Sequence, residues 1–583
     1  MSGYRTPLRR VLVANRGEIA VRVIHTCRRL GIETVLTVSD ADAGSLPARL
    51  ADRVTRIGAA AASASYLDVD AVVSAAVAAG VDAVHPGYGF LSENARLARA
   101  CAAAGVVFVG PSPETLEAAG DKLAAREHAT AAGLPVLPGG HVTAGAGAEN
   151  EAAGAGAENG AAGAGARNEA AGPGAAVPTA VPTAVPAVLA AAVPAAVVAR
   201  RIGYPVLVKA AGGGGGRGLR VVRDPAELEH AVALASAEAA AAFGDPRVYL
   251  ERYVERGRHV EVQLLGDGDH VIHLGDRDCS VQRRYQKLIE EAPAPGLDDA
   301  LRQRLRAAAV SLGERLRYRG AGTVEFLVDA DRREFYFLEV NARIQVEHPV
   351  TEAVTGIDIV AEQFAIAEGR PLRLKQEDVT FGGHAVEVRV NAEDADADFR
   401  PSPGTITRAV FPASPASTAR PYHEMSGDVA ARSARHLPTG VTGAASPTGA
   451  ASPTGATSPT GATGATAAGR VRVDTHLQAG ATVPPYYDSL LAKVIAHGRD
   501  RAGALAALRD ALDRCAIDGV TTNLGLHRAL LADPEFAAGG VDTGYLARWL
   551  ARDQKPPLDQ KPPRDQKEHR DQKEHGMEPE QHG

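Results

Sequence analysis

From residue 11 onward, short apolar runs alternate with longer stretches of helical periodicity: 11–14, 18–30, 34–38, 81–85 and 106–109. Runs of this length and order are the signature of an α/β unit. The loop after the first run, Asn15-Arg16-Gly17-Glu18, occupies the place of a dinucleotide turn but lacks the G-x-G-x-x-G spacing. Further on, 321–340 reads as two strands joined by a tight polar turn near Asp331, which sets Glu325 and Glu339 opposite each other or one position off. Beyond that turn Glu339, Asn341, Arg343, Gln345 and Glu347 alternate with Val340, Ala342, Ile344 and Val346. Period two predicts one strand with five functional groups on a single face.

Three stretches lose the pattern. Residues 144–187 carry Ala-Gly-rich near-copies followed by Val-Pro-Thr-Ala repeats, residues 412–470 carry Ser-Pro-Thr-Gly repeats at Ser446, Ser452 and Ser458, and the tail from 553 repeats Asp-Gln-Lys. With few large apolar side chains they cannot build a core, and they are expected to be solvated additions. Roughly 450 residues remain, enough for about three domains.

Composition narrows the partners. The 583-residue chain carries a formal charge of −7 and a pI near 6.2, which argues against a general nucleic-acid or anionic-membrane surface. Cys27, Cys101, Cys279 and Cys515 are widely spaced and form no C-x-x-C pair, so neither a zinc knuckle nor a disulfide framework is supported. With no apolar leader after Arg9-Arg10 and no long apolar span, a cytoplasmic protein is expected.

The candidate chemistry begins at 206–222, where Lys209 precedes five consecutive glycines and Leu219, Val221 and Val222 follow them. A P-loop has its lysine after the glycines and runs into a helix, so this order predicts a glycine hairpin between two strands. Backbone free of Cβ atoms can press its N–H groups against phosphate oxygens. A glycine run alone fits a linker equally well, and Lys209 at the end of a Val-rich strand favours phosphate. The facing Glu325 and Glu339 suit a divalent cation shared with phosphates, although two water-screened surface glutamates would look the same. Lys287 and Arg389 would suit an anionic substrate, but each alone is more often a surface charge.

Together these segments resemble the biotin carboxylase family of ATP-grasp enzymes. The resemblance rests on Ala14-Asn-Arg-Gly-Glu-Ile-Ala20, His85-Pro-Gly-Tyr-Gly-Phe-Leu-Ser-Glu-Asn94, Gly120-Asp-Lys122, the glycine hairpin, Glu290-Glu-Ala-Pro-Ala-Pro295, Asn341-Ala-Arg-Ile-Gln-Val-Glu-His-Pro349 and Pro484-Pro-Tyr-Tyr-Asp-Ser489, and it covers nearly all of the globular sequence. It implies an α/β and α+β multidomain fold. The expected parts are a Rossmann-like N-terminal domain (1–115), an ATP-grasp domain (116–373) with a glycine-rich lid at about 136–253, a C-terminal domain (380–552) and a disordered tail (553–583).

The activity it implies is ATP-dependent phosphorylation of bicarbonate, breakdown of carboxyphosphate to CO₂ and phosphate, and capture of CO₂ by biotin N1′. By the same resemblance, Lys122, Lys209, Gly215 and Gly216 hold the ATP phosphates, Glu251 and the backbone up to Val254 meet adenine, and His259 and Gln282 complete the nucleotide site. Glu325, Glu339 and Asn341 would ligate Mg²⁺ or Mn²⁺. Bicarbonate would meet Lys287, Arg343, Gln345 and the Val346 backbone, with Glu347 as general base. Arg389 would stabilise the ureido oxygen of biotin, and Tyr88 and Gly89 would line its pocket.

The chain departs from the family pattern at Tyr285, where many members carry His, and in the two internal additions, which could alter lid closure. It has no Ala-Met-Lys-Met biotinylation site, its only methionines being Met1, Met425 and Met577, and nothing in it resembles a carboxyltransferase. Biotin is therefore expected on another chain, a separate biotin carboxyl carrier protein, or as the free vitamin, with a carboxyltransferase subunit completing an acyl-CoA carboxylase of the fatty-acid type. The equivalent subunit of a two-chain pyruvate carboxylase, a different ATP-grasp ligase and a nucleotide-binding scaffold without turnover are the alternatives. Family members are often homodimers, and His25 and Arg29 lie on the first helix, where a partner could pack.

Overall fold

The computed structural model describes residues 7–143, 193–210, 219–412 and 469–553. The expected additions at 144–187 and 412–470, the tail beyond 553, and Gly215 and Gly216 lie almost wholly or wholly outside these residues.

The first region is an open parallel sheet of β1 (Arg10–Val13), β2 (Glu33–Ser39), β3 (Arg53–Gly58), β4 (Ala83–His85) and β5 (Val107–Phe108) in the order β3-β2-β1-β4-β5. Val11, Leu12 and Val13 are fully buried because helices cover both faces, so the central strand reads as an unbroken apolar run. The chain reverses direction across the sheet between β1 and β4, and such switch points are where open α/β sheets place their ligand-facing loops. Here the loops 14–17 and 86–89 meet: Asn15 Nδ2 donates to the carbonyls of Pro86 and Tyr88, both at 2.7 Å. A Cβ on Gly87 would stand 2.8 Å from that amide nitrogen, which accounts for the glycine. Asn15 thus clamps the second loop.

A second sheet follows, formed by β6 (Gly139–Thr143), β7 (Val193–Pro194), β8 (Val206–Ala210), β9 (Arg220–Val222) and β10 (Val248–Arg252) in the order β7-β6-β10-β8-β9. β8 and β9 are antiparallel, with Val206 opposite Val222 and Val208 opposite Arg220, so the strands expected on either side of the glycines form.

The third sheet is antiparallel and eight-stranded. It takes in β11 (Gly257–Asp267), β12 (Val271–Arg283), β13 (Gln286–Ala292), β14 (Arg319–Asp329), β15 (Glu334–Asn341) and β16 (His384–Asn391), then the strands Leu490–Gly498 and Arg470–Thr475, in the order β15-β14-β11-β12-β13-β16 followed by 490–498 and 470–475. Its ladder crosses the expected boundary at 373–380 without interruption, through Ile289 opposite Val388 and Glu291 opposite Val386. Along β16, Val386, Val388 and Val390 enter an apolar core, while Glu387, Arg389 and Asn391 occupy the opposite face.

The five-group strand expected at 339–347 is shorter than its alternation suggests. β15 ends at Asn341, whose ladder partner is Thr323. The next amide, of Ala342, donates to the Glu93 carboxylate at 2.9 Å, which draws the chain off the ladder. Glu347 then stands at the N-cap of the helix His348–Thr355, with Pro349 in its first turn. Among the described residues, no helix is long and apolar enough to cross a membrane.

Candidate functional site

β14 and β15 place Glu325 opposite Glu339, and β11 places Glu261 opposite Glu325 on the other side, with Arg277 of β12 next in line. Three carboxylates in a row across neighbouring strands repel one another unless cations intervene. Two of them have cations. Arg277, fully buried, donates through Nε to Glu261 at 2.5 Å, and His259 Nε2 lies 2.9 Å from Glu325. Lys287 Nζ reaches Glu261 Oε2 at 2.6 Å, Glu325 Oε1 at 3.0 Å and Glu347 Oε1 at 2.6 Å. Burial pulls the Lys287 ammonium down, but these three carboxylates hold it well above its ordinary value.

Among the described residues Glu339 has no such close partner. Lys122, the first residue of the helix Lys122–Ala131, stays 4.0 Å away, and burial with repulsion from Glu325 pushes the Glu339 carboxyl up. Its side chain remains 38% exposed. An added divalent cation would relieve this repulsion, so the hard oxygens of Glu325 and Glu339 fit one. Asn341 fits less directly, because its Oδ1 accepts from Arg343 at 2.7 Å. His259, Glu261 and Glu325 also bring ligand atoms within 4.8 Å of one another, but Lys287 already acts as the cation among them.

At the other end of this face, Arg389 donates through Nε to Glu290 at 2.5 Å and through Nη2 to Glu347 at 3.0 Å. Burial disfavours the Glu347 carboxylate, yet Lys287, Arg389 and Arg277 together hold it well below the ordinary range. Gln345 Nε2 donates to Glu325 at 2.9 Å, and its Oε1 accepts from Arg277 at 3.0 Å. Arg343 pairs with Glu93 at 3.1 Å. Lys287, Arg343, Gln345, Glu347 and Arg389 therefore converge although no single strand carries them.

The nucleotide residues form a neighbouring group. Lys209 of β8 and Glu251 of β10 are ion-paired, and Arg126 lies 3.5 Å from Glu251. Burial lowers the Lys209 ammonium against the pull of Glu251. Val254 packs with Leu137 and Tyr336. Gln282 faces Lys287 across the β12–β13 hairpin, whose turn carries Arg284 and Tyr285 at φ 47° and 68°; Tyr285 is half exposed. The Tyr88 hydroxyl donates to Glu18, and Gly89 takes φ 67°.

Sequence reasoning missed Glu261, Arg277, Glu93 and Lys493. For Glu261 a signal was present: His259, Glu261 and Gln263 alternate with Val260, Val262 and Leu264, so they share the face that carries His259. Arg277 and Lys493 owe their importance to partners far away in sequence, which no local pattern reveals.

Comparison with known proteins gives three family matches: "Biotin carboxylase, N-terminal domain" over residues 7–116, "Carbamoyl-phosphate synthase L chain, ATP binding domain" over 169–375 and "Biotin carboxylase C-terminal domain" over 457–548. The chain is 42% identical to a biotin carboxylase of Pseudomonas aeruginosa over 94% of its own length and 100% of that protein. Among solved structures, a Campylobacter jejuni biotin carboxylase in a beta-gamma-ATP complex superposes with a TM-score of 0.73 at 37% identity, covering 93% of this chain and 99% of that one. The biotin carboxylase domain dimer of a Hydrogenobacter thermophilus 2-oxoglutarate carboxylase, bound to MgADP, ADP and bicarbonate, gives 0.72 at 35% identity over 93% and 98%.

Proposed function

The chain belongs to the biotin carboxylase family, and we propose that the residues gathered on the eight-stranded sheet carry its ATP- and bicarbonate-dependent carboxylation of biotin. The observation that carries this assignment is the buried triangle of Lys287, Glu347 and Arg389, with contacts of 2.6 and 3.0 Å to the glutamate. Two cations flanking one ionised carboxylate make a place for a small anion that must lose a proton. In the ligand-free arrangement they hold Glu347 charged. When bicarbonate arrives, Lys287 and Arg343 turn towards it, and Glu347 recovers basicity as its cations are shared.

Lys122 and Lys209 hold the ATP phosphates, while Glu251 and the backbone to Val254 contact adenine. Glu325 and Glu339 would hold a divalent cation, which would neutralise phosphate charge during transfer. Lys287, Arg343, Gln345 and the Val346 N–H orient bicarbonate so that its oxygen faces the γ-phosphorus, and Glu347 accepts its proton at a carboxylate oxygen. The oxygen–phosphorus bond forms as ADP leaves. Carboxyphosphate then yields CO₂ and phosphate, the N1′–H proton passes to the released phosphate, and Arg389 stabilises the negative charge this leaves on the ureido oxygen while N1′ bonds to CO₂. Tyr88 and Gly89 shape the biotin side.

Biotin comes on a separate carrier protein, and a carboxyltransferase passes the carboxyl group to an acyl-CoA. The enzyme works as a homodimer in the cytoplasm. The four cysteines, all free and buried, support a reducing compartment. The test is ADP release with Mg-ATP and bicarbonate, with and without free biotin. Biotin should stimulate bicarbonate-dependent turnover, and Glu347→Gln should reduce it by about 10²–10⁴-fold. Turnover by Glu347→Gln at the parent rate would remove the glutamate from the mechanism.

A further inference from the structure

Lys493 is fully buried on the strand Leu490–Gly498, directly opposite Arg389 on one side and Asp474 on the other. Its ammonium has three hydrogens to place. Nζ donates to the Val346 carbonyl at 2.8 Å, pairs with Glu18 Oε1 at 3.1 Å and lies 3.7 Å from Asp474. These partners come from three parts of the molecule: the irregular segment before Glu347, the start of the first helix Gly17–Leu30, and the edge strand Arg470–Thr475 of the sheet. Glu18 is itself buried, and its Oε1 also accepts from the Tyr88 hydroxyl.

We propose that Lys493 is a positioning residue that sets the bicarbonate-binding segment 345–347 and, through Glu18, ties it to the biotin side at Tyr88. The physical reason lies in the peptide plane. The Val346 carbonyl and the Glu347 N–H belong to one rigid unit, so pinning that carbonyl fixes where the Cα of Glu347 sits. β15 stops at Asn341, so ladder bonds hold none of residues 342–347. The segment instead depends on point contacts, and at Val346 that contact is the Lys493 ammonium. A charged donor aimed at a neutral carbonyl in a buried place is among the stronger single hydrogen bonds.

Removing it should loosen the anion subsite far more than the nucleotide subsite, which is held by β8, β10 and the helix Lys122–Ala131. The inference rests on the assignment of Val346 and Glu347 to bicarbonate, and the experiment keeps the two apart. Steady-state turnover of the full chain is measured with free biotin for the parent, Lys493→Met and Glu347→Gln. The expected result for Lys493→Met is a KM for bicarbonate raised about tenfold or more, with the KM for Mg-ATP within about twofold of the parent. Equal rises in both KM values, or a lowered thermal midpoint with both KM values unchanged, would reduce Lys493 to a structural role and overturn the proposal.

Lys493→Met leaves Glu18 without its cation, whereas Asp474 keeps Arg472 at 2.7 Å, so Glu18→Gln/Lys493→Met is made alongside it to restore the charge balance. The double variant should show the same selective rise, and failure of both to yield folded protein also overturns the proposal. Loss of turnover in Glu347→Gln together with unaltered bicarbonate dependence in Lys493→Met would sink only the Lys493 inference. Parent-level turnover in Glu347→Gln would instead sink the bicarbonate assignment beneath it.

Discussion

Glu290 and Glu387 face each other across β13 and β16, both fully buried. Glu290 gives one oxygen to Arg389 and has no hydrogen-bond partner for the other, and neither oxygen of Glu387 has one among the described residues. Burial, reinforced by Glu347 and opposed by Arg389, pushes Glu290 up to about 7, and burial holds Glu387 well above the carboxylate range. Folded protein therefore keeps a proton on Glu290 that the unfolded chain, near its ordinary 4.5, has already released. A folded-state pKa above the unfolded one contributes stability that is complete below the unfolded value and is lost as pH rises through the folded value. Glu290→Gln resembles the protonated form at every pH and lacks this loss. Its stability relative to the parent should thus improve by about 1–3 kcal/mol between pH 4.5 and 8.5. Urea unfolding midpoints of both proteins over that range decide it: parallel curves would mean that Glu290 titrates normally.

At the scale of elements, β16 depends on the residue before it. Gly383 has φ 70°, and a Cβ there would lie 2.1 Å from the Gly498 carbonyl oxygen, a backbone atom that can withdraw only by breaking the edge of the ladder where His384 meets Gly498. Gly383→Ala should therefore cost about 2–4 kcal/mol in urea unfolding and lower turnover too, because the displaced strand carries Arg389. A midpoint within error of the parent would refute the close approach.

The same strands show what an alternating pattern can and cannot disclose. The pairing of Glu325 with Glu339 and the two strands flanking the glycines follow from local period and turn placement, and the structure has both. The end of β15 was illegible because it depends on Glu93, 249 residues earlier, taking the Ala342 amide. Lys287 could be named from the family motif, but its three carboxylates lie 26, 38 and 60 residues away, on β11, on β14 and at a helix start. Loop-to-loop and strand-to-strand contacts at such separations leave no periodic trace. Burial of Glu261 was readable in principle from its alternation with valines, since a polar face flanked by a fully apolar one marks either solvent or a site.

Across the whole molecule, the unbroken eight-stranded ladder makes the nucleotide end and the C-terminal end parts of one hydrogen-bonded object. The core beneath it is shared in the same way: Val281, Leu288 and Ile289 from β12 and β13 pack in one cluster with Leu508, Leu530 and Tyr545 from the C-terminal helices. The chain's single tryptophan, Trp549, sits on the last described helix, Tyr545–Asp553, and packs against that cluster. Its emission reports the C-terminal part of that shared core. Ligand binding stabilises whatever unfolds together with its site, by about 2.7 kcal/mol at one hundred times the dissociation constant. If the sheet unfolds as a unit, saturating Mg-ATP should raise the denaturant midpoint seen by Trp549 by the same free energy as the midpoint seen by loss of far-ultraviolet circular dichroism. If β13 and β16 part before the rest, the Trp549 transition will ignore Mg-ATP and precede the other. The first outcome would mean that Arg389, on the C-terminal side of that seam, is held in register with Lys287 for as long as the nucleotide end stays folded.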